Sequence, residues 1–220
     1  MASWMVHLRV ADSLLDRIEG LCPVEFVVGN ITPDSGVPNA DWSVFTPGTH
    51  ISHFKRPGSK EAKDIDIGAY IAKYYPLKRR GSLSHKENSF YMGYLVHLLT
   101  DIQWSNSIVK PSLAKYPEEC EKDRTALVWK LKKDWYDLDH KFLRDHPGFR
   151  AFEIYRNAEG FRNTYMDIFS EDAFDNRRAY ITDFYLQSHD GLDREYPYLT
   201  EEQMDSFVEE TSEWILEQIT

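Results

Sequence analysis

The sequence predicts an all-α protein, a single multi-helix bundle spanning residues 1–220, and three observations predict it. Apolar residues recur at helical spacing near the start, a stretch in the middle is apolar on nearly every face, and the final segment opens with a helix-capping pair and carries an inward stripe. The 42% hydrophobic and 14% aromatic content supplies material for a well-filled core, and no Pro/Gly/Ser-rich stretch offers itself as a linker.

Taken in order, Val6, Leu8, Val10, Leu14, Leu15 and Ile18 predict a first helix over residues 5–18, closed by Gly20. Residues 21–60 read as irregular, because GNITPDSGVP and FTPG supply turn chemistry. A helix is expected over residues 66–75, stopped by Pro76. Residues 89–104, SFYMGYLVHLLTDIQW, then predict a central helix, since a helix apolar all round belongs inside a bundle. Further helices are expected over residues 121–145 and 161–180. In the last one, Thr200 and Gln203 stand in capping-box spacing ahead of Met204, Phe207, Val208, Trp214, Ile215 and Ile219. No strand signal rivals these.

A formal charge of −10 and a pI near 5.3 repel phosphate backbones, so nucleic acid is not an expected partner. Lys78, Arg79 and Arg80 form one local basic run, read as a solvated loop before Gly81. Neither a signal-peptide pattern nor an apolar run long enough to span a membrane is present, and Cys22 and Cys120 lack metal-type spacing. A cytoplasmic protein with reduced thiols is the expectation.

Chemistry concentrates in the central helix. His97 and Asp101 stand one turn apart on the same face, and two ionisable groups there must pair, neutralise or bind metal. A hydrogen-bonded His–Asp pair linking helices is the plain alternative. His7 on the first helix, Asp34 in a turn and His53 in a loop each have an ordinary structural reading when taken alone. Asp134, Asp137, Asp139 and His140 in KKDWYDLDHKF read as a solvated helix face, and His85, His146 and His189 as surface or loop residues. The His189-Asp190 dipeptide sits in a turn-like setting, which disfavours the helical HD-type phosphohydrolase pattern.

Together, WMVHLRVADSLL, the Asp34 loop, Ser52-His53-Phe54 and Phe90-Tyr91-Met92-Gly93 followed by His97 and Asp101 resemble, in the same order, the bacterial zinc-dependent phospholipase C family, whose fold fungal single-strand nucleases share. The resemblance covers residues 1 to about 105. It implies that Asp34, His53, His97 and Asp101 bind one zinc, that Asp101 bridges to a second zinc also held by His7, and that Asp34 is the catalytic general base. Such mixed imidazole and carboxylate ligands suit zinc and admit other divalent metals. The implied reaction is hydrolysis of a phosphoester, in a small molecule or a phospholipid head group, with water activated by the metals. A metal-binding or structural protein on the same scaffold is the alternative.

The sequence also departs from that family. Trp4 is internal where the family uses an N-terminal Trp amine, so the amine is not expected to reach the metals. Ser107 stands where a third zinc's histidine would be, which leaves Asp134, Asp137, Asp139 and His140 as the candidates for a third site.

Overall fold

The computed structural model describes residues 1–41, 43–59 and 64–219, with the side chains of Leu77 and Arg80 outside the description. Its elements are α1 (Trp4–Leu15), α2 (Pro23–Ile31), a 3-10 turn (Thr32–Asp34), β1 (Val37–Pro38), β2 (Phe45–Thr46), α3 (Thr49–Ser52), α4 (Ile67–Tyr74), α5 (Leu77–Arg80), α6 (His85–Trp104), a π turn (Ser105–Val109), α7 (Lys110–Lys115), α8 (Pro117–Asp145), α9 (Arg150–Arg156), α10 (Ala173–Leu186) and α11 (Glu201–Ile219). The architecture is mainly helical, and β1 and β2 form a minimal antiparallel pair in which Val37 faces Thr46.

α6 runs through the centre. Ser84 caps it, accepting from the Glu87 N–H while the Glu87 carboxylate accepts from the Ser84 N–H. Buried residues follow on every side, from Ser89 to Asp101. α2 crosses α6 with no space between the backbones: a Cβ on Gly93 would lie 2.1 Å from the Phe26 carbonyl oxygen, and one on Gly29 would lie 2.2 Å from that of Phe90. Only glycine permits this approach. α1, with Ser3 as its N-cap, packs on α2, α6, α9 and α11. The Thr200–Gln203 pair opens α11 as the spacing predicts.

Residues 21–60 are not irregular throughout: 23–34 are helical, while the described residues 35–59 are turns and short pieces of strand and helix. They contain α2, a fully structured helix whose Phe26, Val27, Val28 and Ile31 belong to the core. The helix expected over 161–180 is instead divided: α9 precedes it, residues 157–172 form turns, and α10 begins at Ala173. The basic run is a short helix, α5, with Lys78 and Arg79 exposed. No described helix is long and apolar enough to cross a membrane.

Candidate metal centre

The α2–α6 crossing delivers the first part of the centre. It sets the Asn30 carbonyl 2.7 Å from His97 Nδ1. A carbonyl only accepts, so Nδ1 carries the proton and the neutral ring turns a bare Nε2 inward. That Nε2 lies 3.2 Å from His53 Nε2 and 3.9 Å from Asp101 Oδ2. The 3-10 turn that continues α2 brings Asp34 Oδ1 to 3.4 Å from His53 Nε2.

His53 is positioned from behind. Its Nδ1 is 3.0 Å from Ser52 Oγ, and the Tyr94 hydroxyl on α6 donates to the Ser52 carbonyl. Phe54 adopts φ of 50°, a region few non-glycine residues occupy, and its ring packs edge-on against Tyr70, Tyr74 and Tyr94. The SHF tripeptide thus combines a polar support, a candidate ligand and an aromatic anchor.

On the other side, His7 stacks on His97 with ring centroids 3.7 Å apart, and its Nε2 lies 3.5 Å from Asp101 Oδ1. Asp101 Oδ2 is 3.6 Å from His53 Nε2, so the two oxygens of one carboxylate face different histidines. Two groups able to hold a metal emerge among the described residues: His7, His97 and Asp101, and Asp34, His53 and His97. All five residues named from the sequence converge here.

The donors fit a dication. Tetrahedral zinc at its usual nitrogen distance sets ligand atoms about 3.3 Å apart, close to the 3.2, 3.4, 3.5 and 3.6 Å separations above. His7, His53, His97 and Asp101 are fully buried. Neither nitrogen of His7 has a hydrogen-bond partner, nor does Asp101 Oδ2, an expensive arrangement for polar atoms removed from water. Burial and the adjacent His7 push His97 down to about 3, which keeps it a neutral, lone-pair-bearing ring. Burial alone would raise Asp101 and Asp34; instead both are held below the usual carboxylate range. For Asp101 the charge of the amino terminus leads, then His7 and His97. For Asp34 the His53 contact leads, then the charges of His97, His53 and His7.

A cleft of about 520 Å³ opens beside the centre, and Asp34 is the one of the five residues that lines it. Two helical stripes make its walls: Trp129, Lys132, Trp135 and Tyr136 from α8, and Arg177, Tyr180 and Phe184 from α10, with Trp4 between them. Apart from Trp4, sequence reasoning singled out none of these wall residues. The available signal was their spacing of three and four along each helix.

Two expectations need correction. Met1 and Ala2 are not kept away: both line the cleft, the Ala2 N–H donates to Asp101 Oδ1 at 2.8 Å, and the amino-terminal charge acts on that carboxylate. The α8 acidic cluster is not a solvated face. Asp134, Asp137, Asp139 and His140 are buried. Asp134 accepts from Arg194 and the Tyr198 N–H; Asp137 accepts from Lys133 and Arg194 and pairs with His189; Asp139 accepts from Ser3 and Tyr185. With their oxygens so engaged, these residues appear in neither of the metal-capable groups found among the described residues. Ser107 is exposed in the π turn, as are His50, His85, His146 and His189 at their own positions.

Comparison with known proteins finds no family model, no curated protein and no solved structure that matches this chain.

Proposed function

We propose that this chain is a metal-dependent phosphoester hydrolase on a phospholipase-C-like scaffold. Its centre holds two zinc ions, or another divalent metal, on His7, Asp34, His53, His97 and Asp101. One conjunction carries the proposal: a buried set of imidazoles and carboxylates with unpartnered atoms adjoins an open cleft at Asp34. A purely structural metal site closes its coordination shell, whereas a catalytic one keeps an open side.

When bound, such ions lower the pKa of water toward about 7 and neutralise charge developing on phosphoryl oxygens. The chain's own residues do the rest. Asn30 holds His97 in the tautomer that offers Nε2, and Ser52 braces His53. Asp101 spans the two halves of the centre. Asp34 stays ionised at the cleft floor and accepts the proton of the attacking water as general base. Bound substrate and the aromatic walls exclude bulk water. The substrate is a small phosphoester or a phospholipid head group.

A non-catalytic metal-binding protein is the second reading, favoured by the complete burial of four of the five ligands. Metal analysis of the purified chain, combined with turnover of phosphomonoesters, phosphodiesters and phosphatidylcholine with and without chelator, decides between them. Chelator-sensitive turnover of any phosphoester is expected. Bound metal with no turnover of any of them leaves the second reading.

A further inference from the structure

Two cationic side chains line the cleft, and they differ in what already engages them. Lys132 and Arg177 are the cationic side chains among its lining residues, and Asp34 is the acidic one. Arg177 is committed: it is buried, it donates to the Gly36 carbonyl, and its guanidinium lies 5.5 to 5.9 Å from the ring centres of Tyr180, Trp4 and Phe45. Lys132 differs. Its ammonium lies 4.9 Å over the Trp129 ring and makes no hydrogen bond or ion pair among those found in the described residues. Burial pulls its pKa below the ordinary value against the raising effect of Asp34. A half-buried ammonium that lines a cleft and has no direct hydrogen-bond or ion-pair partner of its own among the described residues is suited to receive an anion.

An aromatic cleft could also be expected to cage a quaternary ammonium, since such cations seek aromatic faces. Here the chain's own cations already occupy faces of Trp4, Trp129 and Tyr180. A second cation would meet their repulsion as well as their bulk.

We infer that the cleft takes an anionic phosphoester whose organic part is flat and uncharged, and that Lys132 donates to one of its non-bridging phosphoryl oxygens. The inference deepens the hydrolase proposal and rests on it for the position of the phosphorus beside Asp34. The organic part lies between the aromatic walls, where offset or edge-on ring contacts are available. Lys132 acts by binding and neutralising the phosphoryl group, not by transferring a proton.

The test is calorimetric titration of the zinc-loaded full chain with inorganic phosphate, phenyl phosphate and phosphocholine, repeated for Lys132→Met, Lys132→Gln and Lys132→Arg. The wild type should bind phenyl phosphate more tightly than phosphocholine. Lys132→Met or Lys132→Gln should weaken phosphate and phenyl phosphate roughly ten- to a hundredfold with an unchanged melting temperature, as expected for one charge-assisted hydrogen bond. Lys132→Arg should retain most of the affinity. Wild-type affinity for phosphate in a folded Met or Gln variant, tighter binding of phosphocholine than of phenyl phosphate, or no phosphate binding by the wild type overturns the inference. Turnover of phenyl phosphate measured on the same samples separates the two proposals: Lys132-dependent binding without turnover of any phosphoester sinks the hydrolase and keeps the anion site.

Discussion

The backbone carbonyl of Asn30 accepts a 2.7 Å hydrogen bond from Nδ1 of His97, and this contact ties the chemistry of the centre to the crossing of α2 and α6. Had the helices been separated by ordinary side chains, the carbonyl would stand too far away and the ring would be free to turn. Gly93, four residues before His97, is therefore part of the centre's construction even though it offers no ligand.

Gly93→Ala should accordingly destabilise the chain. A Cβ at 2.1 Å from the Phe26 carbonyl forces the helices apart, and overpacking of this kind costs about 1–3 kcal/mol, enough to outweigh alanine's better helix propensity. Chemical denaturation should report the loss and metal analysis a lowered metal content; wild-type values for both would sever the link between the crossing and the centre.

His97→Ala should abolish metal binding and lower the melting temperature. The variant strands Asp101 in a dry interior beside His7, and breaking a buried ionic set by removing one partner costs about 3–5 kcal/mol. Chelation of the wild type should reproduce part of the shift. Unaltered metal content in the variant would exclude His97 as a ligand.

Asp34→Asn should keep the fold and lose hydrolysis by at least about two orders of magnitude, the usual scale for a general base. Unlike the other four proposed ligands, Asp34 sits at the cleft, so its side chain can be changed with little disturbance of the core. Equal turnover in the variant and the wild type would remove Asp34 from the mechanism.

Asp139 sets a pH dependence. Burial pushes its carboxyl up to about 7, against the lowering effect of hydrogen bonds from Ser3 and Tyr185. An unfolded aspartate titrates near about 4. Between those values the folded chain binds the extra proton, so this group's contribution to stability falls as pH rises, by up to about 1.4 kcal/mol per pH unit. Asparagine cannot ionise, and Asp139→Asn should gain stability relative to the wild type as pH goes from 4 to 7. Parallel stability curves for the two proteins over that range would refute the assignment.

No more than two tightly bound metals per chain are expected. The α8 carboxylates that could have served a third ion are engaged by Arg194, Lys133, Ser3 and Tyr185, and Ser107 faces solvent. Anomalous scattering at the zinc edge counts them directly; three full-occupancy peaks in one cluster would overturn the count.

α1, α4, α6 and α11 could be read from periodicity and caps, because each pairs a continuous apolar stripe with a clear start or stop. α2 could not. It is short, rich in β-branched valine, interrupted by Gly29 and followed by turn-forming residues, and what holds it helical is the contact of Gly29 and Gly93 with the opposite backbone. The acidic face of α8 was misread for a related reason. Apart from Lys133, one turn before Asp137, the partners of Asp134, Asp137 and Asp139 come from residues 3, 185, 189, 194 and 198, distances along the chain over which local pattern carries no information. The candidate ligands were recognised as a set through short motifs, while their separations and their shared use of His97 belong to the three-dimensional arrangement alone.

The order in which the five proposed ligands occur along the chain has a consequence for the unfolded state. His7, Asp34, His53 and the His97–Asp101 pair lie on separate stretches of the first half of the chain, so ions bound at the centre close several nested loops at once, as a set of crosslinks would. Loop closure costs entropy that grows only slowly with length, and the metal, which finds no such ligand set in the disordered chain, would be released as those loops open. The centre thus couples the ends of α1, the 3-10 turn, α3 and α6 into one cooperative unit. Loss of the ions should therefore be felt first as fraying of that half, with the aromatic contacts of α8 and α10, Tyr136 and His140 against Phe184, retained longer.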